Sequence, residues 1–284
     1  MNAKIKKSDL HIHTTFSDGS LPPHEVLKWA YHKNIYAIAI SDHDTIEGVE
    51  FAIKSSKLYG IIVIPGVELS CTFLDEEIHL LGYYFDLFDT DLAETLRILK
   101  NSREIRGVKI IDKLNTLGFS LSIKEVYDIT SKGVIGRVHI AKAMVRKNYV
   151  SSVQEAFDKY LNKNRAAYVD RYRLSLEDGI DLIHNAGGAA VIAHPGLIKK
   201  DTILSEILKL DIDGIEAIHS KHAPKDVLRY KQIANDCNII ITGGSDFHCE
   251  YNDNIPALGD YFVDYYHASL LYRKANYYKE RRGV

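Results

Sequence analysis

Ile35-Tyr36-Ala37-Ile38-Ala39-Ile40-Ser41-Asp42-His43 decides the fold class of this chain of 284 residues. Positions 35–40 are almost wholly apolar and lack the alternation of a half-exposed strand, so they read as a strand covered on both faces, as in a parallel sheet between helices. At its C-terminal end the run delivers a histidine flanked by carboxylates. The same design recurs in Leu10-His11-Ile12-His13, Val67-Glu68, Ala193-His194, the stretch holding His219 and His222, and Ser245-Asp246-Phe247-His248. A parallel α/β barrel collects the C-terminal ends of its strands at one face, where residues distant in sequence converge.

On either side of that stretch, further buried strands are predicted at 61–64, 189–193, 214–218 and 239–242, separated by amphipathic helices at 23–33, 49–59, 175–186 and 224–237. Ligand types spread over so many strand ends argue against a doubly wound sheet, whose site would lie at one switch point. From about residue 91 to 161 the strand-like runs vanish. Ser122 with Glu125 and Ser152 with Glu155 have capping-box spacing, and Gly118 stands where a helix C-cap belongs. The expected organisation is a barrel from 1–90 and 173–264, an all-helical insertion at 91–172 folding over its mouth, and a segment 265–284. That last segment, Tyr-rich and ending Lys279-Glu280-Arg281-Arg282, reads as a partly ordered solvated tail rather than a docking helix or an RNA contact.

Bulk properties narrow the function classes. With 46% hydrophobic and 26% charged residues the chain is an ordinary globular one. It has no apolar run of about 18 residues and no signal-like start, so the cytoplasm is the default compartment. Its three cysteines are too few and too scattered for a disulfide framework or a thiolate zinc site. A formal charge of −2 gives no global pull toward nucleic acid or membrane, so a polyanionic substrate would need local positive charge.

Thirteen histidines raise the question of which are ligands. On a strand, His11 and His13 project from one face and can share a metal, and the turn Ser17-Asp18-Gly19-Ser20 can return a carboxylate to the same rim. Asp42 or Asp44 is placed to accept the second ring proton of His43, though either could cap the following helix. Glu68 ends an apolar run and is costly to bury unless paired or metal-bound, and a bridging role would use both its oxygens. His79, amid Ile78 and Leu80, reads by itself as a core histidine, whereas His194 is released by a turn at the barrel mouth. Asp246 and His248 repeat the spacing of His11 and His13. His24, His32, His184 and His267 fall in helical or tail patterns and are given surface or packing roles.

Taken in order, Asp9-Leu10-His11-Ile12-His13, Ser41-Asp42-His43-Asp44-Thr45, Gly66-Val67-Glu68, Ala193-His194-Pro195 and Gly244-Ser245-Asp246-Phe247-His248 resemble the polymerase and histidinol phosphatase (PHP) family over nearly the whole chain. Gly136-Arg137-Val138-His139-Ile140-Ala141 and residues 168–173 resemble its stand-alone nucleotide phosphoesterases, with Val138 in place of the usual proline. The resemblance implies a distorted seven-stranded βα barrel with a trinuclear centre. His11, His13, Glu68 and Asp246 would hold one divalent ion, Glu68, His79 and His194 a second, and Asp18, His43 and His248 a third. Mixed nitrogen and oxygen donors suit Mn, Zn or Fe. Three such ions carry about +6 against three ligand carboxylates, an excess of about +3 for phosphate oxygens.

The function so implied is hydrolysis of a phosphate ester by a metal-bridging hydroxide attacking in line. The partner would be a small phosphorylated substrate, a nucleoside 3′,5′-bisphosphate or short 5′-phosphorylated RNA, with no duplex DNA and no membrane. His222 is the candidate acid for the leaving oxygen or a phosphate contact, a role His219 could share. Arg137 and His139 are candidates for gripping a second phosphate, since guanidinium forms a planar fork, and Arg171 is a further one; a surface arginine at a helix start is the plainer alternative. The rivals are a histidinol-phosphate or general phosphomonoesterase, a metal-stabilised regulatory module, and an amide hydrolase, which ordinarily shows a carbamylated lysine.

Overall fold

A computed structural model describes residues 5–130, 133–249, 251–252 and 255–282. β1 (Lys7–Ile12) leads into α1 (Pro23–His32), β2 (Ala37–Ile40) into α2 (Glu47–Ser56), and β3 (Ile62–Phe73) turns back at once into β4 (Glu76–Tyr83). Four helices follow, α3 (Thr90–Thr116), α4 (Ile123–Thr130), α5 (Arg137–Arg146) and α6 (Val153–Ala156), the last running into a π-helical turn at Phe157–Leu161. The chain resumes with β5 (Leu174–Ser175), α7 (Leu176–Asn185), β6 (Ala189–Ile192), a 3₁₀ turn at Pro195–Leu197, α8 (Asp201–Ile207), β7 (Gly214–His219), α9 (Pro224–Asp236) and β8 (Ile240–Gly244). β9 (Tyr251–Asn252), β10 (Ile255–Pro256), β11 (Val263–Asp264) and α10 (Tyr265–Arg282) complete it.

The main sheet runs β11-β1-β2-β3-β4-β6-β7-β8, with β5 added on β3. β1 to β3 are mutually parallel, as are β6 to β8, while β4 is antiparallel to both its neighbours. Past the end of β8 the sheet nearly closes on β1, through Asp246 N–H to the His11 carbonyl at 2.8 Å and His13 N–H to the Phe247 carbonyl at 3.0 Å. Gly244 makes this seam feasible, because a Cβ there would stand 2.4 Å from the His11 Cβ and backbone nitrogen. The sheet has nine strands where the resemblance implied seven; β5 and β11, of two residues each, add at its margins.

Two segments depart from expectation. Glu68 does not end its strand: β3 continues to Phe73 and pairs with β4 through a two-residue turn, Leu74 (φ 48°) and Asp75 (φ 63°). Both turn residues are left-handed, as a tight hairpin with right-twisted strands requires. The solvated tail is also corrected. Residues 265–282 form α10, which buries Ala268, Leu271, Ala275 and Tyr278 against the barrel, and Tyr265 N–H reaches the Lys6 carbonyl at 2.8 Å, at the N-terminal end of β1. Residues 283–284 lie outside the described residues.

Between Thr90 and Leu161 every regular element among the described residues is helical. Ile110, Leu114, Val126, Ile140, Met144 and Leu161 belong to a cluster separate from those of the sheet. Ser122 and Glu125 exchange the reciprocal capping bonds their spacing predicts, at 2.8 and 3.3 Å. No helix among the described residues is long and apolar enough to cross a membrane.

Candidate metal centre

Strand ends, the interiors of β3 and β4 and the loop after β1 bring all nine expected ligand positions into one cluster around Glu68, whose side chain is 1% exposed. Its Oε1 lies 2.8 Å from His79 Nδ1 and 3.0 Å from His194 Nε2. Its Oε2 lies 2.9 Å from His43 Nδ1, 3.2 Å from His13 Nε2 and 3.4 Å from His11 Nε2. Asp246 Oδ1 stands 3.3 Å from His11 and 3.2 Å from His13. On the far side Asp18 approaches His248 Nε2 at 3.2 Å and His43 Nε2 at 3.9 Å.

These contacts do not satisfy the atoms that make them. His11 Nε2, His13 Nε2, Asp18 Oδ1, His43 Nδ1 and Glu68 Oε2 are buried and make no hydrogen bond. Buried polar atoms without partners cost several kcal/mol apiece at worst and are rare in native folds. Donors about 2.1 Å from a shared ion stand roughly 3.0–3.4 Å apart in octahedral to tetrahedral geometry, which is the spacing found here. The donor set therefore fits divalent cations. Four groupings with metal-ligand spacing converge, His11-His13-Glu68-Asp246, His43-Glu68-His79, His13-Asp18-His43-His248 and His11-Glu216-His219. His194 joins the second by meeting the Glu68 oxygen that faces His79.

Charge in the cluster is lopsided. Burial raises the cost of ionising Glu68, Asp18 and Asp246, yet the surrounding imidazoles hold all three carboxyls well below their ordinary range. Burial likewise disfavours the His79 imidazolium, but Glu68 and then Glu77 push it up to about 10. At His43 burial wins and the ring is pushed down to about 4.

A surrounding layer fixes these donors. Glu216, on β7, was not anticipated: it takes His11 Nδ1 at 3.0 and 3.2 Å and accepts the His194 backbone N–H at 2.8 Å. A carboxylate inside the apolar run Gly214-Ile215-Glu216-Ala217-Ile218 is its only sequence signal. With Nδ1 occupied, the His11 Nε2 lone pair faces the cluster. His219 accepts the Lys221 backbone N–H on Nδ1 at 3.0 Å, so its Nε2–H donates to Asp246 Oδ2 at 3.2 Å and it orients that carboxylate. His194 (φ 23°) and Asp246 (φ 51°) both occupy left-handed backbone, a cost of about 1–3 kcal/mol each that folds sustain chiefly at functional sites.

Several expectations are corrected. Neither Asp42 nor Asp44 orients His43. Asp42 accepts from Thr14 N–H at 2.7 Å, the Thr14 hydroxyl at 2.6 Å and the Ser17 hydroxyl at 2.6 Å, bracing the loop that carries Asp18. Asp44 pairs with Arg103 at 2.6 Å and Arg171 at 3.2 Å. His222 is unsuited to acid chemistry, because Nδ1–H donates to the Ala217 carbonyl at 3.0 Å and Nε2 accepts from Gly196 N–H at 3.1 Å, leaving no free nitrogen. Burial lowers its pKa further.

The candidate phosphate grips lie beside the cluster. His139 Nδ1 accepts the Gly136 N–H at 3.0 Å and caps α5, and burial pushes its pKa down to about 4. Arg137 stands 3.7 Å from Glu77. A chamber of about 270 Å³ is lined by Asp18, His43 and His79 together with Glu77, Arg103, Arg106, Arg137 and Arg171. Arg137 and Glu77 also border an outer groove of about 580 Å³ that carries Lys163, Tyr168, Arg173 and Lys199.

Residues 9–242 match the model of the PHP domain. A 5′-3′ exoribonuclease of Haemophilus influenzae is 34% identical over 253 residues, covering 86% of this chain and 90% of that protein. A 3′,5′-nucleoside bisphosphate phosphatase of Chromobacterium violaceum is 31% identical over 246 residues, 84% of this chain and 86% of the relative. A solved chain from Bifidobacterium adolescentis, named a candidate metal-dependent phosphoesterase, superposes with a TM-score of 0.86 at 25% identity, covering 94% of this chain and 96% of that one.

Proposed function

The chain belongs to the PHP domain family, and on that premise we propose that it is a metal-dependent phosphoesterase hydrolysing a phosphate ester of a nucleotide. The observation that carries this reading is the set of five buried donor atoms without hydrogen bonds, gathered around one carboxylate. Three divalent ions would be held by His11, His13, Glu68 and Asp246, by Glu68, His79 and His194, and by Asp18, His43 and His248, with Mn, Zn and Fe all compatible with these donors. Such ions supply a nucleophilic water near neutral pH and offset the charge of phosphoryl oxygens.

The chain's own residues supply the rest. Glu216 keeps His11 in one tautomer, and His219 and the β8 to β1 seam aim Asp246. The helices from α3 to α6 hold Arg103, Arg106 and Arg137 over the cluster, so the substrate's remaining negative charge meets guanidinium groups. A nucleotide is favoured over histidinol phosphate because, with Asp44 paired to Arg103 and Arg171 and Glu77 set against Arg137, the chamber still holds the guanidinium of Arg106 for negative charge beyond what the ions would offset. A second reading, trimming of short 5′-phosphorylated RNA, is supported by the likeness to a 5′-3′ exoribonuclease; the outer groove itself is mixed in charge, with Lys163, Arg173 and Lys199 beside Asp75, Glu76, Glu77 and Asp170.

The test measures phosphate release from adenosine 3′,5′-bisphosphate, histidinol phosphate and short 5′-phosphorylated RNA, with Mn and with chelator, for wild type and His194→Ala. Turnover of a nucleotide substrate that chelator and the variant both abolish is expected. Metal retention without release from any substrate would instead mark a regulatory module, and preference for histidinol phosphate would replace the nucleotide assignment.

A further inference from the structure

The loop that carries Asp18 is held from two directions. On the barrel side, Ser17 N–H and Gly19 N–H both donate to the Thr14 carbonyl at 3.0 Å, Asp42 accepts from Thr14 and Ser17, and Ser20 N–H donates to the His248 carbonyl at 2.6 Å. Against its other side stands the connection between α4 and α5. Val134, which is buried, donates its N–H to the Phe16 carbonyl at 3.1 Å. Gly133 packs so closely that a Cβ there would lie 2.6 Å from the carbonyl oxygens of both Thr15 and Ser17, nearer than such atoms can approach. Gly133 is not in left-handed backbone, so this proximity alone calls for glycine. Its own N–H returns to the carbonyl of Thr130, the last residue of α4, at 3.0 Å, and the next residue after Val134, Ile135, belongs to the buried core of the helical insertion. Two residues thus join that core to the Asp18 loop.

Resting on the three-ion reading, we propose that Gly133 and Val134 are positioning residues: docking of the helical insertion on residues 14–20 sets Asp18 opposite His43 and His248, so the ion assigned to those three ligands binds tightly only with the insertion seated. Asp18 stands farther past its strand, β1, than any other proposed ligand does, and its place therefore depends on what braces the loop. Its Oδ1, buried without a hydrogen bond, lies 3.2 Å from His248 Nε2 and 3.8 Å from His13 Nδ1. A small displacement of the loop would open these distances beyond what one ion can span. The other two proposed sites draw their ligands from β1 and its end, β3, β4, the turn after β6 and the segment after β8, none from this loop. Loss of the contact should therefore strike one ion and spare two.

The experiment counts Mn bound per full chain by mass spectrometry after equilibrium dialysis over a series of Mn concentrations, in wild type, Gly133→Ala, Met144→Ala, Asp18→Asn and the Gly133→Ala, Asp18→Asn double variant. Gly133→Ala should weaken one ion of the three by about 10-fold to 100-fold, the loss that follows when support for a ligand is removed, and leave the other two in place. Met144→Ala, which opens a cavity in the core of the same insertion, should keep all three. Asp18→Asn should weaken the same ion, and adding Gly133→Ala to it should cost little more, because both changes act on one ligand. Three ions held by Gly133→Ala with wild-type affinity, an equal loss in Met144→Ala, or additive losses in the double variant would each overturn the inference. Loss of all three ions together in Gly133→Ala would make the glycine structural and overturn it likewise. Should the wild type hold fewer than three ions, the three-ion reading fails by itself, and amide hydrogen exchange decides on the contact. Exchange at residues 14–20 about tenfold or more faster in Gly133→Ala than in wild type and Met144→Ala would sustain the positioning role, and equal rates would refute it.

Discussion

Glu216 and His11 meet across the barrel interior, the carboxylate oxygens lying 3.0 and 3.2 Å from the imidazole Nδ1 on the side of the ring away from the ligand cluster. Both side chains are fully buried. Burial works against ionising either, but the pairing lowers the Glu216 pKa and raises that of His11.

That pairing predicts the behaviour of Glu216→Gln. The amide keeps the shape but weakens the hold on the ring and no longer favours the Nδ1–H tautomer, so metal affinity should fall about 10-fold to 100-fold with the fold intact. Metal titration with circular dichroism reads both. Unchanged affinity would mean that the pair is merely structural.

Metal removal should cost stability. The ligands come from strands spread around the sheet, so ions bound to the native state alone stabilise it by about 2.7 kcal/mol at a hundredfold excess over Kd. At roughly 2–4 °C per kcal/mol for a chain of this size, chelation should lower the melting temperature by about 5–10 °C. Calorimetry with and without chelator checks this, and coincident curves would refute cation binding by the cluster.

His222→Phe should separate stability from chemistry. Loss of its bonds to Gly196 and Ala217 leaves a donor and an acceptor unpaired at about 1–3 kcal/mol, while the acid limb of the pH–rate profile should keep its position. A shifted limb would restore a proton-transfer role to this ring.

Asp213 ties α10 to the barrel. It accepts His184 Nε2 at 2.8 Å, the Ala190 N–H at 2.8 Å and the Tyr278 hydroxyl at 2.9 Å, and Tyr278 stacks on His184 with centroids 4.0 Å apart. Burial raises the cost of its charge, but His184, Ala190 and Lys274 together hold its pKa below the ordinary value. A carboxyl so depressed contributes stability above its unfolded pKa and loses it as pH falls through its folded one. Asp213→Asn should therefore be about 1–3 kcal/mol less stable at pH 7, with the gap closing below the usual carboxylate range. Denaturant melts across pH 3 to 7 measure it; a gap independent of pH would refute the charge argument.

The candidate ligands His11, His43, His194 and Asp246 were legible because they follow apolar runs, a contrast that local pattern exposes, whereas His79 lies inside such a run and was picked out only through the family resemblance. The sequence concealed β4, since the Leu74-Asp75 turn carries none of the Gly or Asn usual in left-handed hairpin turns. Arg103 and Arg106 were invisible for a related reason: arginines on a 27-residue helix look like solvated charge until the fold shows which face meets Asp44. The docking of α10 was legible and overlooked. Ala268, Leu271, Ala275 and Tyr278 recur at helical spacing, but the surrounding tyrosines masked the stripe. His222 misled because residue type and position suggest chemistry, whereas its hydrogen bonds depend on Gly196 and Ala217 carbonyl placement that no motif encodes.

The seam where Asp246 N–H meets the His11 carbonyl sets a timetable for synthesis. A nascent chain exposes its first histidines early, yet Asp246 and His248 emerge more than two hundred residues later. Until then two of the proposed ion sites each lack a ligand from the segment that follows β8, so a nascent fragment would carry no complete centre.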